Sequence, residues 1–181
     1  FNAVAAAARD AQATHGIGKV LVADFDVHHG HGTQETFWAD PSVAYLSVHR
    51  HPFYPGTGSR EETGAGPGLG LTANVPLPAG SGDEDYAGGF EAALDSLLRR
   101  FRPDLVLVSA GFDAHGRDPL GGMRVTPEGF ARMTRALVEA AEAFPGGRLV
   151  SVLEGGYDPA GTAEGAAAHA RGLAGGPEPS N

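Results

Sequence analysis

Short apolar runs alternate along this chain with longer stretches whose apolar residues recur at intervals of three and four. Residues 19–26 (KVLVADFD), 43–48 (VAYLSV), 104–109 (DLVLVS) and 148–153 (RLVSVL) lack regular polar alternation. That is the pattern of strands buried on both faces of a parallel sheet. Residues 83–101 place Phe90, Ala93, Leu94, Leu97, Leu98 and Phe101 on one face of a helix. Another helix opens at Thr126-Pro127-Glu128, with Thr as N-cap and Pro in the first turn, and stops near Phe144 before Pro145-Gly146-Gly147. Ala-rich residues 1–14, ended by Gly16 and Gly18, predict a helix, and Ala/Gly-rich residues 160–174 a weaker one. Residues 52–82 are rich in Gly and Pro and read as loop, with one extended piece at 72–77.

Strands alternating with helices predict an α/β fold with a mainly parallel sheet flanked by helices and right-handed crossovers. No internal repeat or linker divides the chain, so one domain is expected. In such sheets ligands bind beyond the carboxyl ends of the strands. Those ends carry the chemistry here: Asp24-Phe25-Asp26-Val27-His28, Ser47-Val48-His49, Ala110-Gly111-Phe112-Asp113 and Glu154-Gly155-Gly156-Tyr157.

Composition narrows the picture further. A chain of 181 residues with 41% hydrophobic and 19% charged residues is globular in character. Its net charge of −9 and the lack of a basic stripe argue against nucleic acid as a partner. Without cysteine there are no disulfides and no thiolate metal ligands. No apolar run approaches the ~18 residues of a membrane span, and no export signal is visible, so a cytoplasmic location is expected. The first residue is Phe1 rather than Met, and it leads straight into a helix, so the chain reads as lacking its N-terminal part.

Asp24, Asp26 and His28 have period two, so in an extended chain their side chains share a face. Two carboxylates and an imidazole without a basic partner need a neutraliser, and a divalent cation is the simplest. The donor set suits zinc, iron(II), manganese or cobalt. The alternative is a set of turn residues capping a loop. Asp113 offers a third ligand from another strand, leaving a coordination position for water; alternatively it is a helix cap. Tyr157, after two glycines, can aim its hydroxyl at a developing oxyanion; alternatively it packs on a turn.

Taken together these residues resemble the histone deacetylase family. DFDVHHGHGTQ (24–34) is similar to its metal-binding signature, and FYPGTG (53–58), NVPLPAG (74–80), SAGFDAHGRDPLGG (109–122) and LEGGY (153–157) come after it in order. The style is closest to the class II enzymes and their bacterial relatives, including acetylpolyamine amidohydrolases. The resemblance implies a three-layer arginase/deacetylase-like fold whose N-terminal part is absent. Residues 1–174 would be the C-terminal part of one catalytic domain, and residues 175–181 a frayed tail. It implies Asp26, His28 and Asp113 as zinc ligands and Tyr157 as the catalytic tyrosine. Asp24 and Ser47 match a monovalent-cation site, usually potassium, completed by main-chain oxygens of Asp26, His28 and Val48. Tyr54, Gly155 and Gly156 match the acyl-lysine channel, and Leu120 its rim.

The implied reaction is metal-assisted hydrolysis of an acetyl-lysine amide in a protein or peptide. The family's general base and acid are an adjacent histidine pair upstream, and this chain has no such segment. His28-His29 is a different pair, so the chain alone is expected to bind metal better than it catalyses. His31 stands where Asn or Asp is common; it and His15, His49, His51, His115 and His169 are expected to face solvent or loops without a metal. Of these, His115 lies closest to Asp113 in sequence. Hydrolysis of acetylated polyamines is the main alternative, and Leu120, rather than an acidic residue, favours peptides. A two-manganese ureohydrolase is disfavoured by the Asp-x-Asp-x-His order. A catalytically inactive acyl-lysine-binding module has only the missing histidine pair in its support.

Overall fold

The structure, a computed structural model, describes residues 1–175. The tail expected at 175–181 therefore lies, Gly175 excepted, outside the described residues. The elements in chain order are α1 (Ala3–Thr14), β1 (Val20–Asp24), α2 (His31–Phe37), β2 (Val43–Arg50), β3 (Thr72–Leu77), α3 (Asp83–Leu98), β4 (Leu105–Ala110), α4 (Pro127–Glu142), β5 (Leu149–Leu153) and α5 (Pro159–Leu173). The five strands form one parallel sheet in the order β3-β2-β1-β4-β5.

Central position explains burial. Every residue of β1 and β4 is buried, as the unbroken apolar runs require. Alternate side chains serve two cores. Leu21, Ala23, Leu46, Val106 and Val108 meet α3 and α4 on one face. Val20, Val22, Val43, Tyr45 and Leu107 meet α1 and Phe37 of α2 on the other. The result is three layers, helix–sheet–helix.

Four local expectations change. Strand β5 is the sheet's edge rather than a buried strand, with Val150 and Leu153 exposed, although its apolar run reads like that of β4. The extended piece at 72–77 is a full strand, in register with β2 from Tyr45–Thr72 to Arg50–Leu77, which prolongs β2 past Val48. Helix α2 has no apolar stripe, so hydrophobic periodicity does not reveal it. It buries only Thr33, Gln34 and Phe37, and Asn2 Nδ2 donates to Thr33 Oγ1 at 2.9 Å. Thr126 is the N-cap of α4 by position, but its hydroxyl donates to Asp83 Oδ2 at 2.7 Å instead of accepting from the helix. Asn2 and Asp158 are side-chain caps, accepting from Ala5 and Gly161 N–H.

His169, expected in a loop or solvent, lies inside α5 against Phe25 and Phe112. Thr134 Oγ1 donates to the Phe130 carbonyl at 2.7 Å, so it accepts from His169 Nδ1–H at 2.7 Å; Nε2 then accepts from Ser151 at 2.8 Å. This relay ties α4, α5 and β5 together. The ring is neutral, and burial pushes its pKa down from 6.5 to about 4. Because the folded value is the lower one, the unfolded chain takes up the proton first. The stability this ring contributes is present above pH 6.5 and lost as pH falls to 4. We predict that the stability gap between the native chain and His169→Gln, measured by urea unfolding, narrows by up to about 3 kcal/mol between pH 7 and pH 4. A gap independent of pH refutes the neutral-histidine assignment.

Candidate metal centre

The sheet order reverses at β1, which lies between β2 and β4, so a crevice opens beyond the carboxyl ends of β1 and β4. Asp26 and His28 come just after β1, and Asp113 just after β4. One ligand atom from each lies within 4.8 Å of the others.

The local chain does not stay extended, as period-two spacing assumes. Asp24 Oδ1 accepts the Asp26 N–H at 3.1 Å, and Asp26 Oδ1 accepts the His28 N–H at 2.8 Å. Two successive aspartate turns curl the backbone. They bring Asp26 and His28 together and leave Asp24 behind, outside the three-residue group. Asp24 is instead buried, in register with Ser47, and accepts from Tyr45 Oη at 3.0 Å. Burial first, and the charge of Asp26 second, push the Asp24 carboxyl well above its usual range. Ser47 Oγ pairs with His49 Nδ1 at 2.9 Å.

The three-residue group fits a divalent cation. His28 Nδ1 stands 3.0 Å from Asp26 Oδ1 and 3.1 Å from Asp113 Oδ2. One N–H faces two carboxylate oxygens, and Asp113 Oδ2, fully buried, keeps no satisfying hydrogen bond. Asp113 Oδ1 is committed to the Val27 N–H at 2.8 Å. The Asp113 and Asp26 carboxylates together push the His28 pKa up to about 10, so the site pulls positive charge onto that nitrogen. Burial pushes Asp113 up. A set of one imidazole nitrogen and two carboxylates, with an unpartnered oxygen facing inward, is the donor chemistry of a divalent transition-metal site.

Glycines shape the floor. A Cβ on Gly155 would run into Asp113 Oδ2 and lie 2.5 Å from Asp26 Oδ2. Its N–H donates to Asp26 Oδ2 at 2.9 Å. Gly156 has φ +156°, at the margin of the glycine-favouring region, and leads into Tyr157. The Tyr157 side chain is half exposed. Its hydroxyl is held above its usual pKa by burial first and then by the charges of Asp113, Asp26 and Asp118, so it is a neutral donor.

Two aromatic residues border His28. Phe53 stacks on its ring at 5.2 Å and Tyr54 meets it edge-on at 6.3 Å. The Arg50 guanidinium lies 4.2 Å from the Phe53 centroid. Tyr54, matched to the channel lining, and Leu120, matched to its rim, are both strongly exposed. A cleft of about 360 Å³ adjoins the group, lined by Asp24, Asp26, His28, Ser109 and Glu154.

The remaining histidines divide. His15 and His31 are exposed, as expected. His49 and His115 are buried, contrary to the loop-or-solvent expectation. His49 Nε2 donates to the Gly58 carbonyl at 2.9 Å, and His29 joins Thr57 at 2.7 Å and Gln34 at 3.0 Å, so both brace the 53–58 loop. Burial pushes both rings down, His49 to about 4. His115 stacks on Phe130 and faces Glu164 Oε2 at 3.6 Å, and does not join the metal-ligating group.

Phe53, Arg50 and Asp118 contribute without having been singled out from sequence. Ring stacking and cation–π contact have no signature in a single sequence. Asp118-Pro119 is a turn signal, but the partner of Asp118 is Tyr157, whose N–H it accepts at 2.7 Å.

Known proteins share this arrangement of sequence and fold. The histone deacetylase domain matches residues 1–173. Histone deacetylase 10, chloroplastic, of Oryza sativa subsp. japonica is 46% identical over 158 residues, 87% of this chain and 36% of that protein. A probable deacetylase of Archaeoglobus fulgidus is 45% identical over 142 residues, 78% of this chain and 40% of that protein. Human histone deacetylase 7 is 47% identical over 167 residues, 87% of this chain and 17% of that protein. The solved HDA15 HD domain has a TM-score of 0.89 at 45% identity, over 97% of this chain and 51% of that one. The histone deacetylase Clr3 has a TM-score of 0.90 at 42% identity, over 100% and 31%. The chain thus spans well under half of these curated relatives, and its fold is the arginase/deacetylase fold of the two solved domains. With a match running from its first helix to its last, the chain belongs to the histone deacetylase family.

Proposed function

We propose that this chain carries the metal-binding part of a zinc-dependent deacetylase acting on acetyl-lysine side chains. The observation that carries this reading is the Asp26–His28–Asp113 group, ligand atoms within 4.8 Å, in which the buried Asp113 Oδ2 faces His28 Nδ1 at 3.1 Å and has no other partner among the described residues, with Tyr157 two residues after Gly155, whose N–H binds Asp26. Asp26, His28 and Asp113 would hold the ion. The chemistry it supplies there is Lewis-acid polarisation of an amide carbonyl and a more acidic water.

The chain's own groups then have distinct tasks. Tyr157, a neutral O–H, donates to the oxygen on which negative charge develops as the amide is attacked. Tyr54 and Phe53 present aromatic surface beside His28 for the methylenes of an acyl-lysine. Leu120 offers an apolar rim without a carboxylate to select a second amine, which favours peptide over polyamine. The net charge of −9 draws cationic substrates of either kind. Proton transfer needs a free imidazole, and the neighbouring rings are engaged: His29 by Thr57 and Gln34, His49 by Ser47 and Gly58. On this reading residues 1–181 bind metal better than they turn over substrate.

A monovalent ion, potassium by its abundance, would be held near Asp24 and Ser47. The carbonyls of Phe25, Asp26 and Val48 lie 3.4, 3.4 and 3.2 Å from Tyr86 Oη. Three acceptors share one O–H, and two of them belong to Asp26 and Val48, within two residues of Asp24 and Ser47, which supports this reading.

Asp113→Ala should abolish stoichiometric zinc binding, read by metal analysis after dialysis; retained zinc refutes the ligand set. Gly155→Ala, whose Cβ meets both carboxylates, should weaken zinc binding by about tenfold or more in competition with a chelator. In the complete gene product, Tyr157→Phe should keep its zinc and slow hydrolysis of an acetyl-lysine peptide by about 10²-fold. Full activity removes the tyrosine from the mechanism. Rapid hydrolysis of acetylated polyamines with none of peptides replaces the substrate class.

A further inference from the structure

We infer that Asp118 is a positioning residue for Tyr157, tying the catalytic tyrosine to the rim loop through a single buried carboxylate. The inference deepens the deacetylase reading and rests on it. Asp118 Oδ1 accepts two backbone N–H groups, from Leu120 at 2.9 Å and Gly121 at 2.9 Å. Its other oxygen, Oδ2, accepts the Tyr157 N–H at 2.7 Å. The side chain is 9% exposed. Three N–H donors converge on one carboxylate, a charge-assisted arrangement that fixes all three backbones relative to one another.

Its place in the fold makes this more than a turn. Asp118 stands five positions after Asp113 in the same loop, and a Cβ on Gly121 would strike the Asp113 carbonyl. The rim loop is thus pressed against the backbone of one ligand while its aspartate holds the backbone of the tyrosine. Arg50 Nη1 donates to the Gly121 carbonyl at 3.2 Å and fastens the loop from the other side. Tyr157 comes after two glycines, the segment with least intrinsic stiffness, and the residue is 52% exposed. Little side-chain packing therefore fixes where its hydroxyl points. Among the hydrogen bonds, the link to Asp118 is the one that sets the Tyr157 amide. The same carboxylate links the Tyr157 backbone to that of Leu120, so the rim loop and the segment that carries the oxyanion donor are fixed to one another.

Asp118→Asn separates this role from a purely structural one. The carboxamide has one acceptor oxygen. That oxygen keeps the Leu120 and Gly121 pair, and the amide NH₂ then faces the Tyr157 N–H, donor against donor. In the complete gene product, the variant should melt cooperatively and keep its zinc. Hydrogen exchange at residues 155–158 should accelerate by about tenfold while residues 119–122 stay protected. Hydrolysis of an acetyl-lysine peptide should lose about tenfold or more in kcat with KM within about twofold. In a Tyr157→Phe background the same substitution should cost less than about twofold, because no oxyanion donor is left to misplace.

Additive losses in that cycle, or unchanged exchange at 155–158, overturn the proposal. A variant that no longer melts cooperatively also overturns it, since the carboxylate then holds the fold rather than the tyrosine. If the native protein binds zinc but hydrolyses no acetylated amine, the deacetylase reading fails, and the exchange measurement alone then decides whether Asp118 holds the tyrosine backbone.

Discussion

The site is arranged around two carboxylates that face one imidazole at the ends of the central strands. Asp113 is fully buried, and Asp26 and His28 are partly so, with the ligand atoms within 4.8 Å of one another. Burying two like charges together is costly unless positive charge arrives. The geometry carries that demand: His28 Nδ1 stands 3.0 and 3.1 Å from the two carboxylates, which push its pKa up. A divalent ion meets the same demand with one more charge and with directed bonds. The rest of the fold either delivers these groups, as the central strands β1 and β4 do, or keeps other groups out, as Gly155 does by lacking a side chain.

Much of this is legible in the sequence, for a physical reason. A strand buried on both faces must be apolar throughout, so β1 and β4 announce themselves. Residues just past the end of such a strand lie at the mouth of the crevice, so Asp26, His28 and Asp113 can be gathered from linear text. Local pattern misleads where tertiary contact overrides it. The run at 148–153 reads like β4 yet, among the described residues, lies at the sheet edge, because strand order is not encoded in hydropathy. Helix α2 has no apolar stripe and is invisible to periodicity. Period-two spacing groups Asp26 with His28 soundly but through an incorrect geometry: aspartate turns, not an extended chain, bring them together, and the same turns leave Asp24 out.

The polar interior around the 53–58 loop shows how a loop next to a charged centre is kept in place. His29 and His49 are pushed toward the neutral form, and each uses both ring nitrogens. Gln34 passes the link to Glu62, which accepts the Gly58 and Ser59 N–H groups. A neutral ring that donates on one side and accepts on the other adds no charge to a site already defined by charge. That distinction explains why adjacent histidines have opposite tendencies: His28 faces two carboxylates, and His29 faces a hydroxyl and an amide.

Tyr157, the oxyanion donor of the proposed reaction, poses the opposite problem from the proposed ligands. Asp113 is fixed by burial and by the Val27 N–H. Tyr157 sits at the surface, after glycines, where packing contributes little. An oxyanion donor is effective only when it is in position before charge develops, because reorganising during the reaction consumes the stabilisation it provides. Fixing the main chain is the remaining means of holding such a ring. The segment is held through Gly155, whose N–H reaches Asp26 and whose carbonyl accepts from Phe112, and through the Tyr157 N–H on Asp118. Two of these three anchors end on the β4 loop that carries Asp113 and the third on the ligand Asp26. The main chain that carries Tyr157 is therefore referred to the Asp26–His28–Asp113 group rather than to the distant core.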